Sequence, residues 1–512
     1  MRRTGWSIAL FTIWIIISHT SCETPEDQEV LTARKYCGQC HVFPEPALLD
    51  KKTWSESVLP QMAFHMGAPN SEILSTINPA DLMYVLKALP QHFMVSDKEW
   101  EMIRQYYLKN APDSLTVQHV AINDTLSRFR SSMLPDSFEP NVTFLRYDTV
   151  RNQLYAGTRQ SYLYTLNTHH ERIDSIKLNS PPSWMVRNDD QILLTTMGIM
   201  DPNDRPAGKV ISLRAKSEQA QIDSIKRPVY LEYEDLDGDG ARDYVVCAFG
   251  NYTGNLSVYD GRTNKEYVLS GLPGARKTII RDVDHDGKPD ILALFAQGDE
   301  RIVWYANRGD FTFDERILLR FSPVDGTSYF EVADVNNDGH FDILMTNGDN
   351  ADYSMIVKPY HGVTIYENNG ENMFTKRWFF PMPGASMAMA RDYDNDGDID
   401  IAAISFFPDF ERTPDHGFLY FENQGDYKFK PYRLPSTLVG RWLVMEAADY
   451  DNDGDIDLVL GANNFRGLGA NRKNYEYWNT HKTALLFLEN TIADNSPDSL
   501  QSFNTPEKSN NE

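Results

Sequence analysis

Beyond residue 138 the apolar positions fall into short runs of β-branched and aromatic residues, separated by polar segments rich in Gly, Asn and Asp. No helical periodicity links them. Such runs predict strands. In the second half of the chain they come in sets. Thr278-Ile279-Ile280, Met387-Ala388-Met389 and Leu443-Val444-Met445 each stand before a polar loop, and Ile291-Leu292-Ala293-Leu294 and Leu458-Val459-Leu460 stand after one. A further run then closes each set, as in Ile302-Val303-Trp304-Tyr305, Val363-Thr364-Ile365-Tyr366, Phe418-Leu419-Tyr420-Phe421 and Leu485-Leu486-Phe487-Leu488. The same order recurs upstream in Leu154-Tyr155-Ala156-Gly157 with Tyr162-Leu163-Tyr164, and in Ile192-Leu193-Leu194-Thr195 with Val210-Ile211-Ser212-Leu213. Seven units of several strands each, between residues 138 and 491, predict a seven-bladed β-propeller within a mainly β protein.

The polar loop of the last five units is a near-repeat of Asp-x-Asp/Asn-x-Asp-Gly-x-x-Asp. Its polar positions are Asp235, Asp237, Asp239 and Asp243; Asp282, Asp284, Asp286 and Asp290; Asp334, Asn336, Asp338 and Asp342; Asp392, Asp394, Asp396 and Asp400; and Asp449, Asp451, Asp453 and Asp457. Hard oxygen ligands at this density around a turning glycine, such as Gly397, are calcium chemistry, and up to five ions are expected. These units resemble the FG-GAP/VCBS repeat proteins, whose propeller blades carry calcium in such loops. The resemblance implies that the carboxylates above, with Asn336 in place of one Asp, are the metal ligands. The two upstream units lack the loop.

The first 110 residues have another character. Cys37-Gly38-Gln39-Cys40-His41 is the C-x-x-C-H haem attachment signature: two thiols one helical turn apart form thioethers with haem vinyl groups, and the adjacent imidazole lies beneath the iron. Zinc requires further Cys or His ligands at similar spacing, and only Cys22 and Cys247 remain. A thioredoxin-like pair requires a βαβ setting, and the flanks here read as helical. Ser96 with Glu99 forms a capping box ahead of Trp100, Ile103, Tyr106 and Tyr107, a helix that stops at Ala111-Pro112. The segment resembles a small cytochrome c, an all-α domain over 31–112, with covalent haem c on Cys37 and Cys40 and His41 as an axial ligand. Met62 is the first choice for the sixth ligand, with Met66, Met94 and His65 as alternatives.

Arg2 and Arg3 precede an apolar run from Trp6 to Ile17 that is too short for a membrane span and has the shape of a signal peptide, residues 1–22. Cys22, followed by Glu23-Thr24-Pro25-Glu26-Asp27, resembles the lipid-modified cysteine of Bacteroidetes-type surface lipoproteins, although His19 stands where an aliphatic residue is usual. The expected location is the periplasm or the outer membrane and cell surface, with attachment to the membrane by a lipid anchor on Cys22. Residues 113–137 read as a linker and 492–512 as a disordered tail.

A formal charge of −24 argues against nucleic acid as a partner. Five calcium ions would bring it to about −14. The expected function is that of an exported haem-c electron-transfer protein whose calcium-stabilised propeller binds a redox partner or a glycan. The competing expectation is a propeller enzyme, either a dehydrogenase passing electrons to the haem or a polysaccharide lyase. Its candidate pocket residues are Tyr360, His361, Arg412, His416, Arg441 and Trp442, with Phe406, Phe407 and Phe410 as a possible binding surface.

Overall fold

The structure, a computed structural model, describes residues 25–134, 138–188, 191–214, 216–350, 355–464 and 472–492. The signal segment, Cys22 and the C-terminal tail lie outside the described residues. Seven four-stranded antiparallel sheets form the blades of a ring. In the last five blades the second strand is buried along its whole length: Asp243–Ala248, Asp290–Phe295, Asp342–Asn347, Asp400–Ser405 and Asp457–Ala462. Burial on both faces by neighbouring blades explains why these segments read as continuous apolar runs without alternation. The fourth strands, such as Phe313–Arg320 and Phe374–Pro381, form the exposed outer edge, and charged residues break up their apolar positions. The apolar pattern therefore reveals only three strands per unit.

The blades share a feature that hydropathy does not show. Each first strand begins with a register shift, between Val142 and Phe144, Pro182 and Trp184, Pro228 and Tyr230, Ala275 and Lys277, Thr327 and Tyr329, Ala385 and Met387, and Trp442 and Val444. A bulge increases local twist, which a blade needs as it turns from the ring axis to the rim. The two blades without an acidic loop carry it too, so they share the geometry of the other five.

Ring closure changes the reading of residues 113–137. Phe129–Met133 is the outer strand of the last blade, paired with Leu485–Asn490. Just before it, Ile122 packs with the fifth and sixth blades and Leu126 with the sixth and seventh. This segment is part of the ring, not only a connection to it. From sequence it reads as a linker because its apolar residues are too few and too scattered to form a recognisable run.

The N-terminal region is helical, as expected. Pro25–Cys37 packs against Asp97–Asn110, bringing Ala33 and Cys37 into one core with Ile103, Tyr106 and Tyr107. The Ser96–Glu99 capping box is formed. Between these helices, residues 51–65 form a continuous helical segment whose turn at Trp54–Val58 is widened, with the Leu59 N–H reaching the Trp54 carbonyl. Pro60 explains the widening: its ring cannot tolerate the carbonyl four residues back, so the turn ahead of it opens.

Replacing Phe129, which is buried between Tyr393 and Tyr420, with Ala is expected to cost about 3–5 kcal/mol of ring stability in chemical denaturation. Val150→Ala, at an exposed turn, should leave the midpoint unchanged.

Candidate functional site

Each acidic loop joins the first strand of a blade to the second, so all five lie at one end of the ring, opposite the connections between second and third strands. Local geometry repeats from loop to loop. The first Asp accepts two backbone N–H groups, as when Asp392 Oδ1 takes Asp396 N at 3.2 Å and Oδ2 takes Gly397 N at 3.0 Å. The glycine has a left-handed backbone, φ +95° at Gly397, where an added Cβ would meet no neighbour. Glycine is therefore there for its conformation and not for space. The fourth loop position is left-handed as well and holds Gly238, His285, Asn337, Asn395 or Asn452.

Four loops bring three carboxylates within 4.8 Å of one another: Asp235, Asp237 and Asp239; Asp282, Asp284 and Asp290; Asp392, Asp394 and Asp396; and Asp449, Asp451 and Asp453. In the remaining loop Asn336 stands at the middle position and donates to Asp338 Oδ2 at 2.9 Å. An oxygen-only donor set of this kind suits a hard cation.

The closing aspartates have a second employment that spacing alone does not reveal. Asp243, Asp290, Asp342, Asp400 and Asp457 are buried. Asp290 Oδ2 accepts Val283 N at 3.0 Å and its Oδ1 accepts Asn307 N at 2.7 Å; Asp457 holds Tyr450 N at 3.1 Å and Asn490 N at 2.7 Å. Each such carboxylate ties the start of its loop to the end of the third strand. Asn307 and Asn490, from the Asn that ends those strands, extend the tie: their side chains donate to Leu236 O and Tyr393 O of the preceding blade, both at 2.7 Å. Burial, with neighbouring carboxylates adding to it, pushes Asp400 up to about 7 and Asp457 up to about 8. Several loop carboxylates have cationic partners: Arg262 beside Asp239, Lys288 beside Asp286 and Arg128 beside Asp394.

The Cys-x-x-Cys-His segment lies at the other end of the ring. Cys37 ends its helix and is buried in the helical core, which also contains Phe43, Trp54, Met62 and Met66. Cys40 is exposed, and neither thiol is in a disulfide. His41 Nδ1 lies 2.9 Å from Val42 O. A carbonyl only accepts, so Nδ1 carries the proton and Nε2 keeps a free lone pair. Burial lowers the His41 pKa, which favours the neutral, ligating imidazole. Two thiols, this imidazole and a thioether in one helical domain, with Cys37 and Met62 in its apolar core, are the donors that haem c requires, so the residues present fit the group. Among the alternatives, Met94 is exposed, whereas His65 lies close enough to His41 for the two charges to oppose each other.

The helical domain is seated on the ring. The His65 ring lies 5.4 Å from that of Tyr252, and Phe64 packs on the same tyrosine. Arg320 donates to Cys40 O at 3.4 Å while paired with Asp299 at 2.6 Å; Tyr360 donates to Leu48 O at 3.1 Å; Arg205 meets Asp81 at 3.1 Å. Val324 and Ile356 of the ring complete the helical core. Sequence reading did not find Tyr252, Arg320 or Arg205, because nothing local distinguishes an interface residue from any other loop residue.

The residues proposed for a pocket do not converge. Tyr360 serves the interface. His361 and His416 are buried, and Trp442 lies in the blade core. Arg412 reaches His119 Nε2 at 2.9 Å. Phe406, Phe407 and Phe410 do share one place, around the Arg441 guanidinium.

Residues 235–293, 282–345 and 392–460 match the model of the FG-GAP-like repeat. These blades are FG-GAP-like repeats. With the seven-bladed ring, they give the chain a fold suited to binding or scaffolding. No curated protein sequence matches it. Among solved structures it is similar to the Neurospora crassa Pan2 WD40 domain, at 12% identity over 71% of this chain and 96% of that one, with a TM-score of 0.43. It is also similar to the N-terminal domain of Nup159, at 10% identity over 72% and 97%, with a TM-score of 0.42.

Chelation with EDTA is expected to lower the melting temperature of the ring, and calcium alone should restore it. A melting curve indifferent to EDTA, with no calcium found by elemental analysis, would contradict the reading of the loops as metal sites.

Proposed function

We propose that this protein is an exported electron-transfer protein that carries haem c on Cys37 and Cys40. In this reading His41 and Met62 would hold the haem iron, and calcium in the five acidic loops would stiffen the ring. The ring holds the haem-bearing domain in one orientation and engages a redox partner or a glycan. A signal segment and a lipid on Cys22 would place it at the periplasmic or outer surface of a bacterial membrane.

The observation that carries the reading is the setting of His41. Its Nδ1 is committed to Val42 O, leaving Nε2 free within the segment that also presents Cys37 and Cys40. Bound haem supplies one-electron redox chemistry, with a potential set by its axial ligands and burial. The chain's own residues bind and orient: the two thiols fix position, Val42 sets the imidazole tautomer, and Phe43, Trp54 and Met66 exclude water. Arg320 and Tyr252 hold this segment against the ring.

An enzymatic reading that uses His361 or His416 as a base has less support, because both imidazoles are buried and burial depresses their basicity.

Produced with a cytochrome maturation system, the protein is expected to keep its haem absorbance through denaturation and acid–acetone extraction, and Cys37→Ser with Cys40→Ser should abolish it. Extraction of the colour from the unaltered protein would rule out covalent attachment. Met62→Ala should shift the reduction potential, while His65→Ala leaves it in place; the reverse result would assign the sixth position to His65.

A further inference from the structure

Between the sixth and seventh blades, at the end of the ring that carries the helical domain, a cavity of about 630 Å³ opens beside the helix Arg472–His481. Its walls are mainly apolar and include Phe410, Leu438, Tyr477 and Trp478. Trp478 is fixed by its indole N–H, which donates to Leu438 O at 3.1 Å, and by edge contact with Phe410. Tyr477 is exposed and presents an aromatic ring to the opening.

Arg441 lines this cavity and is only 2% exposed. Its Nε donates to Phe406 O at 2.7 Å, and its guanidinium lies 3.8 Å from the Phe406 ring centre. Nη2 is buried and has no hydrogen-bond partner among the described residues. The one acidic residue of the lining, Glu476, is occupied by Arg472 at 2.6 Å. The other buried arginine among the described residues, Arg301, has a carboxylate, that of Asp299 at 2.7 Å. An unpaired buried cation is costly, and several kcal/mol of that cost is relieved when an anion arrives. Burial alone, with no acid opposing it, lowers the Arg441 pKa to about 9, so the side chain still carries its charge at neutral pH.

We propose that this cavity binds a small organic carboxylate: its ring-shaped body rests on the Phe410, Tyr477 and Trp478 walls and its carboxylate pairs with the Arg441 guanidinium that lines the cavity. Aromatic walls suit the flat face of a sugar or an arene. Arg441 is the one buried cation of the lining and matches one negative charge inside the cavity, whereas Lys473 and His481 stand at its exposed rim, where water screens any pairing with the second charge of a phosphate dianion. A hexuronate and an aromatic acid share this chemistry. The site is independent of the haem assignment and goes beyond it by giving the ring a ligand of its own.

The test is calorimetric titration of the full-length protein with galacturonate, benzoate, glucose and inorganic phosphate. Saturable binding of galacturonate or benzoate is expected, and whichever binds more tightly identifies the body that the aromatic walls accept. Glucose and phosphate should give no comparable heat. Arg441→Met is expected to weaken binding about ten- to a hundredfold, as for loss of a hydrogen bond to a charged group. The same substitution should leave the melting temperature of the ligand-free protein equal or higher, since it removes an unpaired buried charge; Tyr477→Ala, at an exposed position, should weaken binding without changing the melting temperature. Failure of both acids to bind, equal binding of glucose or phosphate, or binding unaffected by either substitution would overturn the proposal. So would a clear fall in the melting temperature of Arg441→Met, which would make Arg441 a structural residue.

Discussion

The architecture depends on one pairing, that of Phe129–Met133 with Leu485–Asn490. A ring of antiparallel blades is stable only when its last blade is completed, because an unpaired third strand would expose a row of backbone donors and acceptors. Here the completing strand comes from the chain just downstream of the helical domain. The approach to it is packed as well, with Ile122 and Leu126 in the cores between blades and Leu126 N bonded to Arg433 O at 3.0 Å. The helical domain therefore leaves the ring surface with no long free tether, and its docking contacts need to order very little additional chain. Closing the ring and seating the Cys-x-x-Cys-His segment are physically coupled.

That coupling separates two kinds of chemistry. The carboxylate loops crowd one end of the ring, and the helical domain covers the other. Charge at the acidic end reaches the opposite end weakly, since solvent screens it over such distances. Within the acidic loops the closing aspartates bind the loop to its blade through backbone N–H groups, leaving the earlier carboxylates to face one another. A cation at the centre would neutralise the repulsion that this arrangement creates, while the buried ties keep the blade together.

Much of the fold was legible in the sequence, and the reasons are specific. Strands buried on both faces, such as Asp290–Phe295, produce apolar runs that stand out, and the acidic loops mark the turn from first to second strand in five blades. The Ser96–Glu99 box predicts a helix start because its residues bond to each other locally. Outer strands such as Phe313–Arg320 escaped notice because one face is bathed in solvent. Phe129–Met133 escaped because its partner lies more than 350 residues away, and a polar edge strand has no local signature. At the candidate sites, spacing singles out Cys37, Cys40 and His41 and the loop carboxylates as candidates. It did not reveal that Asp457 and its counterparts clamp backbone, nor that Tyr252 meets His65, since both depend on chain segments that only folding brings together.

The central claim is that the Cys-x-x-Cys-His domain sits in one fixed orientation on the ring end opposite the acidic loops. Pulsed electron paramagnetic resonance between nitroxide labels at Glu72→Cys and Val150→Cys, both exposed positions, measures that relation directly in the full-length chain with Cys22 and the exposed Cys40 replaced by Ser. A single narrow distance distribution, broadened by Tyr252→Ala combined with Arg205→Ala, is the result this account predicts. A broad distribution in the otherwise unaltered protein, insensitive to those substitutions, would show a domain on a free tether and contradict it.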